Sequence, residues 1–188
     1  LSLGSMLEPL QTLKNLYPDL ALDIELISIT DAAIHSKPGI SILCDTSFQD
    51  CLKDLTKTSK TTAVFLCCGL KTPFDMQSSL KKVLRLCDLK NIPIFGVGAA
   101  GWKMADAGIL ANGTGTVHWT TLAAFRERNQ NIDVKDALFI TSERATSSPG
   151  EAATLDMMID YIKSEFSLEY AERVCDHLMI TYTRNGDL

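Results

Sequence analysis

The stretch "IPIFGVGAAGWKMADAGIL", residues 92–110, joins an apolar strand to a helix through a corner of glycine and alanine. The apolar run at 92–98 is typical of an interior parallel strand, and helical spacing follows over about 101–109. A tight corner requires residues with little or no side chain, and positions 98 to 101 read Gly, Ala, Ala, Gly. Backbone N–H groups and the positive end of a helix dipole meet there, which suits an anion or a reactive thiol. Because Gly98 carries neither thiol nor hydroxyl, covalent catalysis has no atom to use at this position.

Strand-like and helix-like segments alternate on both sides of this corner, which predicts an α/β domain. We expect three layers, with a mostly parallel central sheet and helices on both faces. The predicted strands are 23–28, 61–70, 92–98, 115–119 and 137–142, with a hairpin at 33–45 around Pro38-Gly39. The predicted helices are 8–16, 78–89, 101–109, 121–128, 151–166 and 167–179. A length of 188 residues fits one domain better than two.

Charge and composition exclude several classes of function. A formal net charge of -5 and a pI near 5.2 disfavour direct binding to a phosphate backbone. No apolar run approaches the roughly 20 residues that span a bilayer, so we expect a cytoplasmic protein with no membrane partner. The six cysteines lie in apolar segments without CxxC spacing, which favours reduced, packed thiols and predicts no metal and no cofactor. Cys67 and Cys68, adjacent on one strand, should point to opposite faces.

The segment "GVGAAGWKMADAGILANGTGTVHW", residues 96–119, resembles a known family. It is similar to ThiJ/PfpI-type, class I glutamine amidotransferase-like domains at the N-terminus of GlxA-like AraC-family transcriptional regulators, above all in "ADAGIL" and "TVHW". Three further pieces resemble the same domains in the same order: residues 1–16 with Glu-Pro-Leu, 147–162 "SSPGEAATLDMMIDYI" and 171–180 "AERVCDHLMI". The resemblance implies a flavodoxin-like fold.

The resemblance also implies a domain organisation. Residues 1–180 are expected to form a ThiJ/PfpI-like ligand-sensing domain whose first strand precedes Leu1. The polar residues 181–188, "TYTRNGDL", are expected to begin a linker to an absent C-terminal helix-turn-helix domain. DNA would then be bound through that absent domain alone, by a regulator that forms a homodimer.

One departure from the family decides between three hypotheses for function. Related enzymes keep their nucleophilic cysteine where this chain has Gly98, which implies a non-enzymatic sensor of a small, amino-acid-like or betaine-like effector. The alternative is a hydrolase or glyoxalase-like enzyme of the superfamily that uses a non-standard residue, for example Cys67 or Cys68. A dimerisation module with a vestigial pocket is the third hypothesis.

Four side chains are candidates for the effector site beside the Gly98–Ala99 corner. The resemblance makes His118 face the corner, although a histidine satisfied by core hydrogen bonds explains it as well. Glu8, placed at the start of the first helix, either pairs with His118 or is favoured there by the helix dipole. Trp102 and Trp119 either form an aromatic wall for a quaternary ammonium group, worth up to about 2 kcal/mol, or pack in a core or a dimer interface.

Further candidates lie near the expected strand ends. Hydroxyl groups that would line loops there, or serve as turn residues, belong to Thr141, Ser142, Ser147 and Ser148. Gly150 and Glu151 are expected to open the long helix, whose N–H groups suit a carboxylate ligand. The negative charge of Glu151 opposes such an anion unless its side chain turns outward.

Overall fold

A computed structural model describes residues 1–29, 33–36, 39–56, 61–69, 78–110 and 113–186 of the chain. The helices are α1 (Ser2–Leu16), α2 (Phe48–Thr56), α3 (Ser78–Leu89), α4 (Ala100–Ala107), α5 (Trp119–Arg128), α6 (Ala153–Glu165) and α7 (Leu168–His177), with one 3-10 turn at Pro18–Leu20. The strands are β1 (Ile27–Ser28), β2 (Ile34–His35), β3 (Ser41–Ile42), β4 (Thr46–Ser47), β5 (Val64–Cys68), β6 (Ile94–Gly98), β7 (Thr114–Gly115), β8 (Asp133–Val134), β9 (Ile140–Thr141) and β10 (Ala145–Ser148).

The central sheet has four strands in the order β5-β6-β10-β9. Strands β5, β6 and β10 run parallel, and β9 is the antiparallel edge. Side chains alternate across it: Phe95 and Val97 pack with α1, α6 and α7, whereas Ile94 packs with the helices of the opposite face. These layers confirm the predicted three-layer α/β architecture with a mostly parallel sheet.

The periodicity of α3 illustrates why the long elements were predictable. Its buried positions Leu80, Val83, Leu84 and Cys87 repeat every three or four residues and place one face of the helix against the sheet. The predicted and observed bounds of this helix, 78–89, are the same. Six predicted helices and the 33–45 hairpin are present, the hairpin as an antiparallel β2–β3 pair; its Pro38 lies outside the described residues.

Three predictions about the first half of the chain are wrong in detail. Helix α1 begins at Ser2, six residues before the predicted start, because apolar Met6 extends its buried face towards the N-terminus. Residues 23–26 are not strand, and the two residues of β1 pair with β4 away from the central sheet. Helix α2 was not predicted, although Phe48 and Leu55 bury one side of it.

Strand β10 is the main element that the sequence did not predict. Its residues "ATSS" are all buried and small, and two are serines that we had assigned to a loop. The hydroxyl of Ser147 accepts a hydrogen bond from the Thr116 backbone N–H at 2.9 Å, and that of Ser148 donates to the Leu138 carbonyl at 3.0 Å. Ser147 and Ser148 are therefore structural groups of a buried strand, since their polar atoms are satisfied by backbone partners.

The other two hydroxyl candidates lie at the connection between β9 and β10. Thr141 ends the edge strand β9, and its hydroxyl accepts a hydrogen bond from Thr146 at 3.2 Å. Ser142 closes the β9–β10 turn by donating to the Ala145 carbonyl at 2.8 Å. Both lie by the amino end of β10, and the turn-residue interpretation fits Ser142. In the described part of the chain, no helix is both long enough and apolar enough to cross a membrane.

Candidate functional site

The strand-to-helix corner at Gly98 is closed by its own backbone. Gly98 ends β6 with φ +70°, Ala99 returns to φ -73°, and α4 begins at the next residue. The Ala99 N–H donates to the carbonyl oxygen of Cys68 at 3.0 Å. A Cβ atom built on Gly98 would overlap that same oxygen. Any residue other than glycine would therefore require the backbone to move.

A second corner, at Gly150, packs directly on the first. Gly150 has φ +98°, and a Cβ placed on it would lie 3.3 Å from the Cα and N atoms of Gly98 and from the Ser2 hydroxyl oxygen. Glu151 follows with φ +54°, and its N–H donates to the Ser2 hydroxyl at 2.7 Å. Because α6 begins at Ala153, the prediction that Gly150 and Glu151 open this helix is wrong. The Glu151 N–H is bound to Ser2 instead of remaining open to a ligand.

The connection from β7 to α5 packs against the first turn of α4, just before His118. Gly101, in the first turn of α4, lies so close to this connection that an added Cβ would be 2.7 Å from the Val117 Cγ1 atom and 3.2 Å from the Thr116 carbonyl oxygen. His118 is the next residue along the chain. The close packing of Gly101 thus explains why a small residue is needed at that position.

His118 caps helix α5. The predicted strand at 115–119, which would have included His118, is therefore wrong. Its Nδ1 atom accepts a hydrogen bond from the Thr120 N–H at 3.4 Å and lies 2.8 Å from the Thr120 hydroxyl. A ring nitrogen that accepts from a backbone N–H is unprotonated, which assigns the proton to Nε2. His118 can therefore present an Nε2–H donor while its other nitrogen is engaged.

Glu8 does not join this site. It is exposed in the second turn of α1, and the first turn of that helix contains no acidic residue, so the helix-dipole interpretation is wrong. Among the described residues, the ion pairs within 4 Å do not include one between Glu8 and His118. The early start of α1 explains the difference, because it moves Glu8 away from the helix N-terminus.

The two tryptophans have different environments. Trp102 is 4% exposed, packs edge-on against Phe125 at 4.9 Å between ring centroids, and has the Arg128 guanidinium 5.8 Å from its ring. Trp119 is 72% exposed, and its ring centroid lies 5.6 Å from that of His118. The packing interpretation is confirmed for Trp102. The predicted wall of two tryptophans is wrong, and the exposed Trp119 lies beside the half-buried ring of His118.

Cys67 and Cys68 end β5 beside the corner and, as predicted, point to opposite faces of the sheet. Burial raises the pKa of Cys68 to about 12. Desolvation also raises the pKa of Cys67, and Glu151 adds to the rise. Both thiols are therefore protonated at neutral pH, the opposite of what an activated nucleophile requires.

Sequence reasoning missed two contacts around this edge of the sheet. One is the bond between Ser2 and Glu151, which are 149 residues apart. The other joins Asp156 in the first turn of α6 to Arg184, through bonds of 2.6 to 3.1 Å. No local pattern indicates either contact, although a turn-forming Pro149-Gly150 pair before a helix does mark the loop.

Within the described ranges, no group of three His, Cys, Asp or Glu residues is arranged to hold a metal ion.

Three relatives that match nearly the whole chain are transcriptional regulators. The chain is 26% identical over 178 residues to the HTH-type transcriptional regulator GlxA of Rhizobium meliloti, covering 94% of this chain and 52% of the relative. It is 23% identical over 176 residues to the HTH-type transcriptional regulator CdhR of Pseudomonas aeruginosa, covering 94% and 50%. It is 22% identical over 185 residues to GbdR of the same species, covering 98% and 48%. The chain thus spans about half the length of these relatives.

Solved structures and a family model agree on the fold. An AraC family transcriptional regulator from Pseudomonas putida superposes with a TM-score of 0.80 at 20% identity, over 94% of this chain and 91% of that one. Drosophila melanogaster DJ-1beta superposes with a TM-score of 0.72 at 15% identity, over 95% and 94%. The model of the DJ-1/PfpI family matches residues 5–164, which is most of the chain. The chain therefore belongs to the DJ-1/PfpI family.

Proposed function

We propose that this domain is the non-catalytic, effector-sensing part of an AraC-type transcriptional regulator. The observation that carries the proposal is the closed corner at Gly98, where the Cys68 carbonyl leaves no space for a nucleophile. The raised pKa values of the neighbouring thiols support it, because they remove the two nearest substitutes. The regulators among its relatives support the same assignment.

The effector site is proposed at the carboxyl ends of β5 and β6, where open α/β sheets usually bind ligands. The exposed indole of Trp119 offers a face for an ammonium group, a contact worth up to about 2 kcal/mol once desolvated. His118 offers an Nε2–H donor beside it, which suits a carboxylate. An amino-acid-like or betaine-like zwitterion carries both groups, and we propose this class of compound as the effector.

DNA binding is proposed for a part of the full-length protein outside residues 1–188. The net charge of -5 opposes attraction to a phosphate backbone. We expect residues 1–188 alone to give no gel shift with operator DNA. A sequence-specific, salt-sensitive shift would contradict this assignment.

The domain is also proposed to act as a homodimer. Two large apolar side chains near the last helix, Leu168 and Met179, are 55% and 83% exposed. Surfaces of this kind are often buried in twofold interfaces. Analytical ultracentrifugation of residues 1–188 should give a dimer, and Leu168→Glu should shift the equilibrium towards monomer; a monomer at all concentrations contradicts this part of the proposal.

Thermal unfolding with a panel of amino acids and trimethylammonium carboxylates tests the sensing function. A compound present at 100 times its Kd should stabilise the fold by about 2.7 kcal/mol. Trp119→Ala should abolish the shift, whereas Trp102→Phe should retain it, because Trp102 is buried in the core. A folded protein that no compound stabilises would contradict the proposal. Turnover of a substrate that is lost in Cys67→Ala would favour the enzymatic alternative.

A further inference from the structure

The segment that follows α7 is attached to the domain by a cluster of polar contacts. Arg184 donates from its backbone N–H to one carboxylate oxygen of Asp156 at 2.8 Å, and from Nε and an Nη atom to the other at 3.1 and 2.6 Å. Asp156 is 9% exposed and Arg184 42% exposed at the side chain. A two-pronged guanidinium–carboxylate contact fixes both position and orientation, so residue 184 is held in one geometry.

A second contact fastens the same segment two residues later. The Leu138 N–H donates to the Gly186 carbonyl at 2.8 Å, and a Cβ on Gly186 would lie 2.5 Å from the Phe139 carbonyl oxygen. Residues 184–186 therefore lie against α6 on one side and the approach to β9 on the other. This attachment was not expected of the polar run 181–188, which the sequence predicts as the start of a linker.

The attachment begins one helical turn from the corner. Asp156 lies in the first turn of α6, and the loop before this helix carries Gly150 against Gly98 and Glu151 bound to Ser2. Only four residues, 152–155, thus separate the residue bound to Ser2 from the residue bound to Arg184. Because the first turn of a helix moves with the loop that leads into it, displacement of the loop displaces the carboxylate that holds Arg184.

We propose that Asp156 and Arg184 form a latch through which the loop at Gly150 and Glu151 controls the position of residues 184–186. The inference rests on the proposed function, since an effector at the corner is what would move the loop. A closed latch fixes the path of the chain after α7, and an open latch releases it. The signal of effector binding would leave the domain by this route.

Trypsin provides a direct readout of the latch, because it cleaves after Arg184 and must first free the guanidinium from Asp156. The measurement is the initial rate at which purified residues 1–188 release the peptide 185–188, followed by mass spectrometry. Hydrogen exchange of the Leu138 N–H reports the second contact in parallel. If opening is fast relative to cleavage, both rates report the population of the open latch.

Three variants separate the latch from its coupling to the corner. Asp156→Asn removes the charge and should raise the release rate about tenfold or more. Ser2→Ala removes the acceptor for the Glu151 N–H, far from Arg184 in sequence, and should raise it about threefold. Ser47→Ala is the matched control, since it removes a serine oxygen that accepts from the Asp50 N–H at 3.1 Å at the start of α2, and should leave the rate unchanged.

The outcomes decide the proposal without any effector. An unchanged rate in Asp156→Asn shows that there is no latch, and an unchanged rate in Ser2→Ala shows that the corner is not coupled to it; either overturns the inference. If Asp156→Asn does not fold, Arg184→Lys retains a trypsin site, loses the two-pronged contact and should also be cleaved faster. If the release rates of the variants do not change, the proposed effector binding can still be correct. If no compound in the thermal panel stabilises the protein, the expected release rates of the variants stay the same.

Discussion

The corners at Gly98 and Gly150 join parallel strands to helices, touch each other, and differ in how they are held. Gly98 has φ +70° and passes directly into α4, with the Cys68 carbonyl filling the space of a side chain. Gly150 has φ +98° and is followed by a second residue of positive φ, Glu151, whose N–H is held by Ser2. The first corner is fixed by packed backbone, whereas the second is held by two side-chain hydrogen bonds, from the Glu151 N–H to Ser2 and from the Gly150 N–H to the Ser148 hydroxyl at 3.3 Å. The two corners therefore differ in what a substitution must displace, which is backbone at Gly98 and in part a side chain at Gly150.

Gly98→Ala should have the largest effect on stability. The left-handed backbone and the overlap with the Cys68 carbonyl together should lower the free energy of unfolding by about 2 to 4 kcal/mol. Gly108→Ala is the matched control, since Gly108 has φ +83° with nothing within 4 Å of an added Cβ, and should cost about 1 to 2 kcal/mol. Urea denaturation measures both values. Equal losses would mean that the first corner is not sterically closed.

Gly98→Cys extends this test to function. A thiol at position 98 would require the same backbone displacement, so we expect a destabilised protein without amidase or peptidase activity. Activity assays on the folded fraction check the prediction. A stable and active Gly98→Cys protein would show that the corner still accommodates a nucleophile.

Gly150→Ala should have a smaller effect, of about 2 kcal/mol, because its three nearest atoms lie at 3.3 Å and one of them belongs to a side chain. The loop can adjust by moving away from Gly98, which the first corner cannot do. Urea denaturation beside the Gly98→Ala protein checks this order of effects. A loss larger than that of Gly98→Ala would reverse the assignment of the rigid and the adjustable corner.

Ser2→Ala should lower the free energy of unfolding by about 1 kcal/mol, the usual contribution of one hydrogen bond. The Glu151 N–H should then exchange with deuterium faster, because its acceptor is lost. Ser47→Ala should cost a similar amount without changing exchange at Glu151. An unaltered exchange rate in Ser2→Ala would show that the bond does not hold the loop.

Alkylation of Cys67 measures the reactivity of its thiol. We expect it to leave the free energy of unfolding almost unchanged. Desolvation, with a contribution from Glu151, raises the pKa of this thiol, so the thiolate that reacts with iodoacetamide is scarce at neutral pH. The labelling rate, measured by peptide mass spectrometry, should rise continuously from pH 7 to beyond 9. A plateau already below pH 8 would indicate an activated thiol and favour an enzyme.

The sequence predicted those elements in which the pattern of apolar side chains reflects which faces are buried. In β6 the apolar residues mark a strand buried on both faces, and in α3 the spacing of leucines marks one buried face. Strand β10 was not predicted because "ATSS" has no such pattern. Its strand conformation is imposed by pairing with β6 and β9. Tertiary context therefore overrides local propensity at this central strand.

The candidate site was predicted less completely than the fold. Gly98 and Ala99 were located correctly at a corner because small residues are required there, whereas Gly150 was expected to open α6 and lies in the loop before it. Glu8 was misplaced because the local pattern did not show that α1 begins six residues earlier, whereas burial in the core confirms the packing interpretation of Trp102. Ser2 and Arg184 could not have been selected, since their partners are 149 and 28 residues away.

The contacts of Ser2 and Arg184 also affect how the chain can fold during synthesis. Both residues bind the short stretch 151–156, yet they lie near opposite ends of the described sequence. This stretch can be fully fixed only after residue 184 has emerged from the ribosome, so the last packing step of the domain waits for the synthesis of nearly all of it. A nascent chain stalled before that point would expose an unanchored α6, which makes it a substrate for chaperones.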